Sequence, residues 1–198
     1  MTGTEIEHEV KFLLCAARRS PELSKLATNL INSVDIIKSG EHLLVYYDTD
    51  SADFYDADNT FRITLRSKDG VPKNRVTYKE HLKDEAGVRT CKETHYELVK
   101  TNGKLIPKIL LFKKNETDRY AKRLERLAHI RVKRYWFNIR GIECNLDICK
   151  TNKGIYFEEL ETEDPVTKEW IDFIGTRYGI TWQSNVNKYK RTMLVNEM

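Results

Sequence analysis

The stretch "TEIEHEVKF", Thr4 to Phe12, divides into two alternating sets of residues. Glu5, Glu7, Glu9 and Lys11 make one set; Ile6, His8, Val10 and Phe12 make the other. Successive side chains of a strand point to opposite faces, so three carboxylates and an ammonium share one side, opposite a mostly apolar row. Like charges repel. A strand that lines them up needs something to hold them there.

The same alternation recurs along the chain. In "FRITLR", Arg62, Thr64 and Arg66 oppose Phe61, Ile63 and Leu65; in "RVTYK", Arg75, Thr77 and Lys79 oppose Val76 and Tyr78. In "IRVKRY", Arg131 and Lys133 oppose Ile130 and Val132; in "NLDIC", Asp147 opposes Leu146 and Ile148. In "FEELE", Phe157, Glu159 and Glu161 share a face. One such strand is an ordinary half-exposed sheet. Taken together, with their signs sorted, these strands predict a barrel turned inside out: ions in the lumen and apolar side chains outward beneath helices. The expected fold is mainly β with α, a closed eight-stranded antiparallel barrel with a charged lumen and helices packed outside.

The helices are read from period and caps. "SPELSKLATNLINS" predicts one with Ser20 as N-cap and Pro21 at its first position. "DRYAKRLERLA", Asp118–Ala128, predicts a short basic amphipathic helix. "VTKEWIDFIGTRYG" predicts a third, closed by Gly179, and "SNVNKYKRTMLV" a last short one. "DSADFYDADN" reads as a polar loop.

Bulk composition narrows the function. A chain of 198 residues suits one domain, and 34 basic against 30 acidic residues is too even a balance for a nucleic-acid coat. No apolar run is long enough to span a membrane. Glu5, Glu7 and Glu9 stand where a signal peptide would be basic and then apolar. The four cysteines form no CxxC pair, which points to a reduced, cytoplasmic protein, and the five scattered histidines show no zinc motif. A lumen of carboxylates and cations costs several kcal/mol per desolvated ion unless each finds a partner. A polyanion with divalent metals supplies both kinds: carboxylates suit Mg2+ or Mn2+, and Arg and Lys clamp phosphate oxygens.

With these residues in view, "EHEVK" resembles the ExExK signature of the CYTH superfamily, the triphosphate tunnel metalloenzymes, at Glu7, Glu9 and Lys11. The order of "YYDT", "FRITLR", "VTYK", "RVKR", "LD", "EELE" and "SNVNK" is similar to that family's successive strand motifs across nearly the whole chain. Relatives include class IV adenylate cyclases, thiamine triphosphatases and inorganic triphosphatases. The resemblance implies a tunnel that binds a triphosphate with two Mg2+ or Mn2+ ions. It implies metal ligands at Glu5, Glu7, Glu9, Glu93, Asp147, Glu159 and Glu161, and catalytic roles for Glu7, Glu9, Lys11 and Glu161. Phosphate contacts are implied at Lys11, Arg62, Lys79, Arg131, Lys133 and Lys188.

Two departures stand out. Thr64 sits where the family's R-x-R has its second arginine, leaving Arg66 to make that contact. Residues 101–128 form a long insert in what is otherwise a single domain spanning 1–198. The favoured chemistry is hydrolysis, a metal-activated water attacking the terminal phosphorus of an inorganic, thiamine or nucleoside triphosphate. A cyclase making cyclic AMP and pyrophosphate from ATP is the alternative. A non-catalytic polyphosphate-binding module is the third reading, although Glu7 and Glu9 would be needless in it. The expected partner is a small-molecule triphosphate, with an RNA 5′-triphosphate end as the one nucleic-acid case, bound by a monomer or homodimer.

Overall fold

The computed structural model describes residues 3–68, 71–72, 74–96, 98–101, 104–107 and 125–198. Eleven strands run through them: β1 (Gly3–Arg18), β2 (Ile36–Asp48), β3 (Thr60–Lys68), β4 (Val71–Pro72), β5 (Arg75–Glu85), β6 (Val88–Tyr96), β7 (Leu98–Thr101), β8 (Lys104–Pro107), β9 (Glu125–Ile139), β10 (Ile142–Thr151) and β11 (Tyr156–Thr162). Eight of them pair in the order β2-β9-β10-β11-β1-β6-β5-β3, and β3 pairs back onto β2, which closes an antiparallel barrel. The predicted architecture holds. Two hairpins in the wall turn on two residues of positive φ, Ala86–Gly87 between β5 and β6 and Arg140–Gly141 between β9 and β10. Such turns match the right-handed twist of the flanking strands.

Four helices are described: α1 (Lys25–Ile31), α2 (Asp53–Asp56), α3 (Lys168–Tyr178) and α4 (Lys188–Asn196). The N-cap of α1 is Ser24, whose hydroxyl accepts from the Ala27 N–H, so the helix starts later than Ser20 and Pro21 suggest. The Ser24 N–H is itself held by Glu158 of β11, a tertiary contact that no local signal carries. At the end of β2, Asp48 accepts from the N–H groups of Thr49, Phe54 and Tyr55, which folds α2 into the polar loop. Gly179, at φ 71°, ends α3 as expected, and Thr167 caps its start. Among the described residues, no helix is long and apolar enough to cross a membrane.

The helix expected over Asp118–Ala128 is corrected at its described end. Glu125–Ala128 open β9, where Ala128 pairs with Tyr46 and is buried against Tyr46 and Tyr189. That packing overrides the helical period; residues 118–124 lie outside the described set. Of the rest of the expected insert, Thr101 and Lys104–Pro107 belong to the hairpin β7–β8, and 108–117 are likewise outside it.

Packing is layered. On the outer wall, Val10, Phe12, Leu146 and Leu160 meet Ala27 and Leu30 of α1 and Trp170 and Ile174 of α3. A second outer cluster joins Phe54 of α2 to Phe61, Ile63 and Val76. The third cluster is inside. Leu44, Tyr46, Ile130, Val132, Cys149 and Phe157 pack on Tyr189 and Val195 of α4, filling one part of the barrel with apolar side chains.

Candidate functional site

The rest of the interior is ionic. Register explains why: Lys11 faces Glu161 across β1–β11, Lys79 faces Glu93 across β5–β6, and Asp147 faces both Arg134 and Glu159 from β10. Directly opposed residues share a face, so these pairings bring residues of six strands onto one lining.

Each cation there serves several carboxylates. The Lys79 ammonium contacts Glu7, lies 2.7 Å from Glu9 and 2.9 Å from Glu93. Lys11 lies 2.6 Å from Glu9 and 3.5 Å from Glu161. Lys188, the first residue of α4, contacts Glu161 and lies 3.0 Å from Asp147 and 3.2 Å from Glu159. Arg134 donates to both Asp147 oxygens at 2.6 and 2.5 Å and to Glu161 at 3.0 Å. Arg191, one helical turn beyond Lys188, donates to Glu159 at 2.6 Å.

These contacts set the charges. Burial alone would raise the Glu9 carboxyl, but the ammonium groups of Lys11 and Lys79 outweigh it and hold the group well below the carboxylate range. Burial would likewise raise Asp147, and Arg134 and Lys188 reverse it. Glu7 differs: burial wins over Lys79, and Glu9 and Glu93 add to it, so its carboxyl is pushed up to about 8. Neighbouring carboxylates with acidities pushed so far apart are suited to different tasks.

Among the buried polar atoms left without a hydrogen-bond partner, two belong to charged groups of this lining. Arg62 Nε is a donor without a hydrogen-bond partner, and Glu159 Oε2 sits within ion-pair distance of Lys188 but off the line of a hydrogen bond. One calls for an anion and the other for a cation. All the carboxylate oxygens here are hard donors of the kind that Mg2+ and Mn2+ prefer, so the residues present fit such ions. A cavity of about 40 Å3 separates Glu9, Lys11, Lys79, Arg62, Glu161 and Lys188.

Placement of the other expected residues varies. Glu5 stands exposed at the edge of the site, with His95 3.2 Å away and Glu93 across the ladder. Arg66 is exposed at the end of the β3 face. Arg131 and Lys133 are not brought to the interior: both are exposed on the outer face of β9. Their alternation is right and their side is reversed, because Ile130 and Val132 point inward onto α4. Arg134 is the β9 cation that reaches the lumen. Sequence reading also passed over Arg191, although its i,i+3 spacing from Lys188 puts both on one helix face. Arg75, expected on the charged face but given no contact, faces Thr64 across β3–β5 and lies 3.9 Å from Glu93.

The comparisons agree with this geometry. A family model described as the CYTH domain matches residues 5–192. The chain belongs to the CYTH family. Among solved structures, it is similar to a proposed adenylate cyclase from Bacillus halodurans, at 18% identity and a TM-score of 0.62, covering 96% of this chain and 98% of that one. A proposed adenylyl cyclase from Hippeastrum, described as having a dominant triphosphatase activity, aligns at 18% identity and a TM-score of 0.61 over 96% and 95%. The PH1819 protein of Pyrococcus horikoshii aligns at 14% identity and 0.60 over 98% and 100%. At such identities these structures show a shared fold alone. No curated protein sequence gives a significant match. Membership in the CYTH family makes this chain a triphosphate-tunnel protein.

Proposed function

We propose that this CYTH chain is a cytoplasmic, divalent-metal-dependent triphosphatase, a single tunnel domain acting on a small-molecule triphosphate. The observation that carries the reading is the sharing of Lys79, Lys11 and Lys188 among six buried or half-buried carboxylates. A triphosphate with its metals would divide that lattice, the cations turning to phosphate and the carboxylates to metal. Phosphate binding alone needs the cations; crowded carboxylates would repel the ligand. The free cysteines accord with a reducing compartment.

Glu7, Glu9, Asp147, Glu159 and Glu161 would hold the ions, with Glu93 and Glu5 nearer the edge. Bound Mg2+ or Mn2+ supplies Lewis acidity, neutralising phosphate oxygens and making water a stronger acid. Lys11, Arg62, Lys79, Arg134 and Lys188 would grip the phosphates. In the hydrolysis, water adds to the terminal phosphorus and its bond to the bridging oxygen breaks. Cations already fixed by the wall offset the charge that grows on that oxygen. Without an ion, burial keeps a proton on Glu7 near neutral pH, with its pKa pushed up to about 8, so an ion held there would displace that proton.

The test is product analysis with Mg2+ or Mn2+ and, in turn, tripolyphosphate, thiamine triphosphate and ATP. Orthophosphate release that is lost in Glu9→Gln supports the proposal. Cyclic AMP with pyrophosphate would instead assign a cyclase, and no turnover with either metal would leave a binding module.

A further inference from the structure

We infer that the outer wall carries a second ligand site, for a nucleoside polyphosphate, on the β2–β9–β10 face. It is a cleft of about 680 Å3, within the roughly 300–1,000 Å3 common for small-molecule sites. The proposal stands apart from the tunnel chemistry and does not need it.

The ladder sets out the cleft's chemistry. One row runs Leu65, Leu43, Arg131, Lys150, Tyr156 across β3, β2, β9, β10 and β11, each residue directly opposite the next. Two cations therefore face each other between apolar neighbours. Like charges placed directly opposite destabilise a sheet, and ordinary walls put a carboxylate between them. Here none intervenes: neither Arg131, Lys133 nor Lys150 lies within ion-pair distance of a carboxylate among the described residues. Lys133 stands one alternation along, directly opposite Glu41, the one acid in the lining; its ammonium lies over the Tyr135 ring and that of Lys150 over the Tyr156 ring. The contrast with the lumen is direct, since every ammonium described there has two or three carboxylates.

Charge and floor together select the ligand class. Phosphates answer Arg131, Lys133 and Lys150, and the apolar strips of Leu43, Leu65 and Ile148 need a flat, poorly hydrated group such as a nucleobase. Inorganic polyphosphate would leave that floor unused.

ATP is the probe. Titration calorimetry in EDTA, which withholds metal from the tunnel, should give an outer-site binding event that weakens about tenfold or more in Arg131→Ala/Lys150→Ala, as expected for losing charged hydrogen bonds. Both side chains are exposed, so the variant's thermal melt should match the parent's. Adenosine and tripolyphosphate alone should each bind this site more weakly than ATP. Unchanged ATP binding in the double variant would overturn the site. Equal binding of tripolyphosphate and ATP would overturn its nucleotide assignment and leave a bare anion patch. Tripolyphosphate turnover is not the readout, so failure here and failure of the tunnel reading stay distinct.

Discussion

Strands β1 and β9 carry the same alternation of ions and apolar residues and mount it in opposite senses. In β1, Glu7, Glu9 and Lys11 face the lumen while Val10, Phe12 and Leu14 lie outside, with α1 and α3 in the same core. In the middle of β9 the apolar Ile130 and Val132 face inward onto Tyr189 and Val195, and Arg131 and Lys133 meet solvent. Further along, β9 reverts: Arg134 turns in to Asp147, and Phe137 and Ile139 are buried in the outer core. Alternation decides which residues share a face. Which face is the inside depends on what covers each one, and α4 covers the inner face of β9 where no described helix covers the outer.

The largest effect should come from removing a shared ion. Lys79→Met leaves Glu7, Glu9 and Glu93 without their common partner. Stranding buried carboxylates costs about 3–5 kcal/mol, to be read from denaturant unfolding. A loss below about 1 kcal/mol would mean that the β1–β5–β6 lining is wetter than its packing implies. Next comes the apolar part of the interior. Ile130→Ala removes a fully buried side chain against α4, at an expected cost of about 2–4 kcal/mol in the same measurement.

This contrast marks what the sequence could convey. The closed barrel was legible because six of its eight wall strands alternate, and the end of α3 because Gly179 punctuates it. Ten of the expected site residues converge: Glu7, Glu9, Lys11, Arg62, Lys79, Glu93, Asp147, Glu159, Glu161 and Lys188. Arg131 and Lys133 did not, since the side that a row faces is fixed by a helix 55 or more residues away in sequence. The start of α1 departs from its local signals for a similar reason, Glu158 holding the Ser24 N–H.

Protons sharpen the comparison within the lumen itself. Burial raises Glu7 from its ordinary 4.5 to about 8, so between these values the folded state holds a proton that the unfolded chain releases. Stability contributed by this group therefore falls as pH rises through that window, the reverse of Glu9 and Asp147, whose lowered values give stability that is lost only on acidification below about 4. Glu7→Gln abolishes the first titration. Its stability relative to the parent should improve by about 3–4 kcal/mol between pH 5 and pH 8, in EDTA so that metal does not compete. A difference that shrinks with rising pH would place Glu7 among the ionised carboxylates.

The smallest effect is the one that tests β9 most directly. Lys133 is exposed, with its ammonium 5.2 Å from the centre of the Tyr135 ring and no carboxylate at ion-pair distance. Lys133→Ala should change stability by less than about 0.5 kcal/mol. The same bound on binding energy keeps the KM for tripolyphosphate within about twofold. Its neighbour is the control. Arg134→Ala removes the donor to Asp147 and Glu161 and should raise that KM about tenfold or more, as the loss of charged hydrogen bonds would. Steady-state kinetics on the two single variants would reverse the assignment of faces if Lys133→Ala, rather than Arg134→Ala, weakened the substrate. The apolar row of Ile130 and Val132 would then have to point away from α4, which their burial against Tyr189 and Val195 opposes.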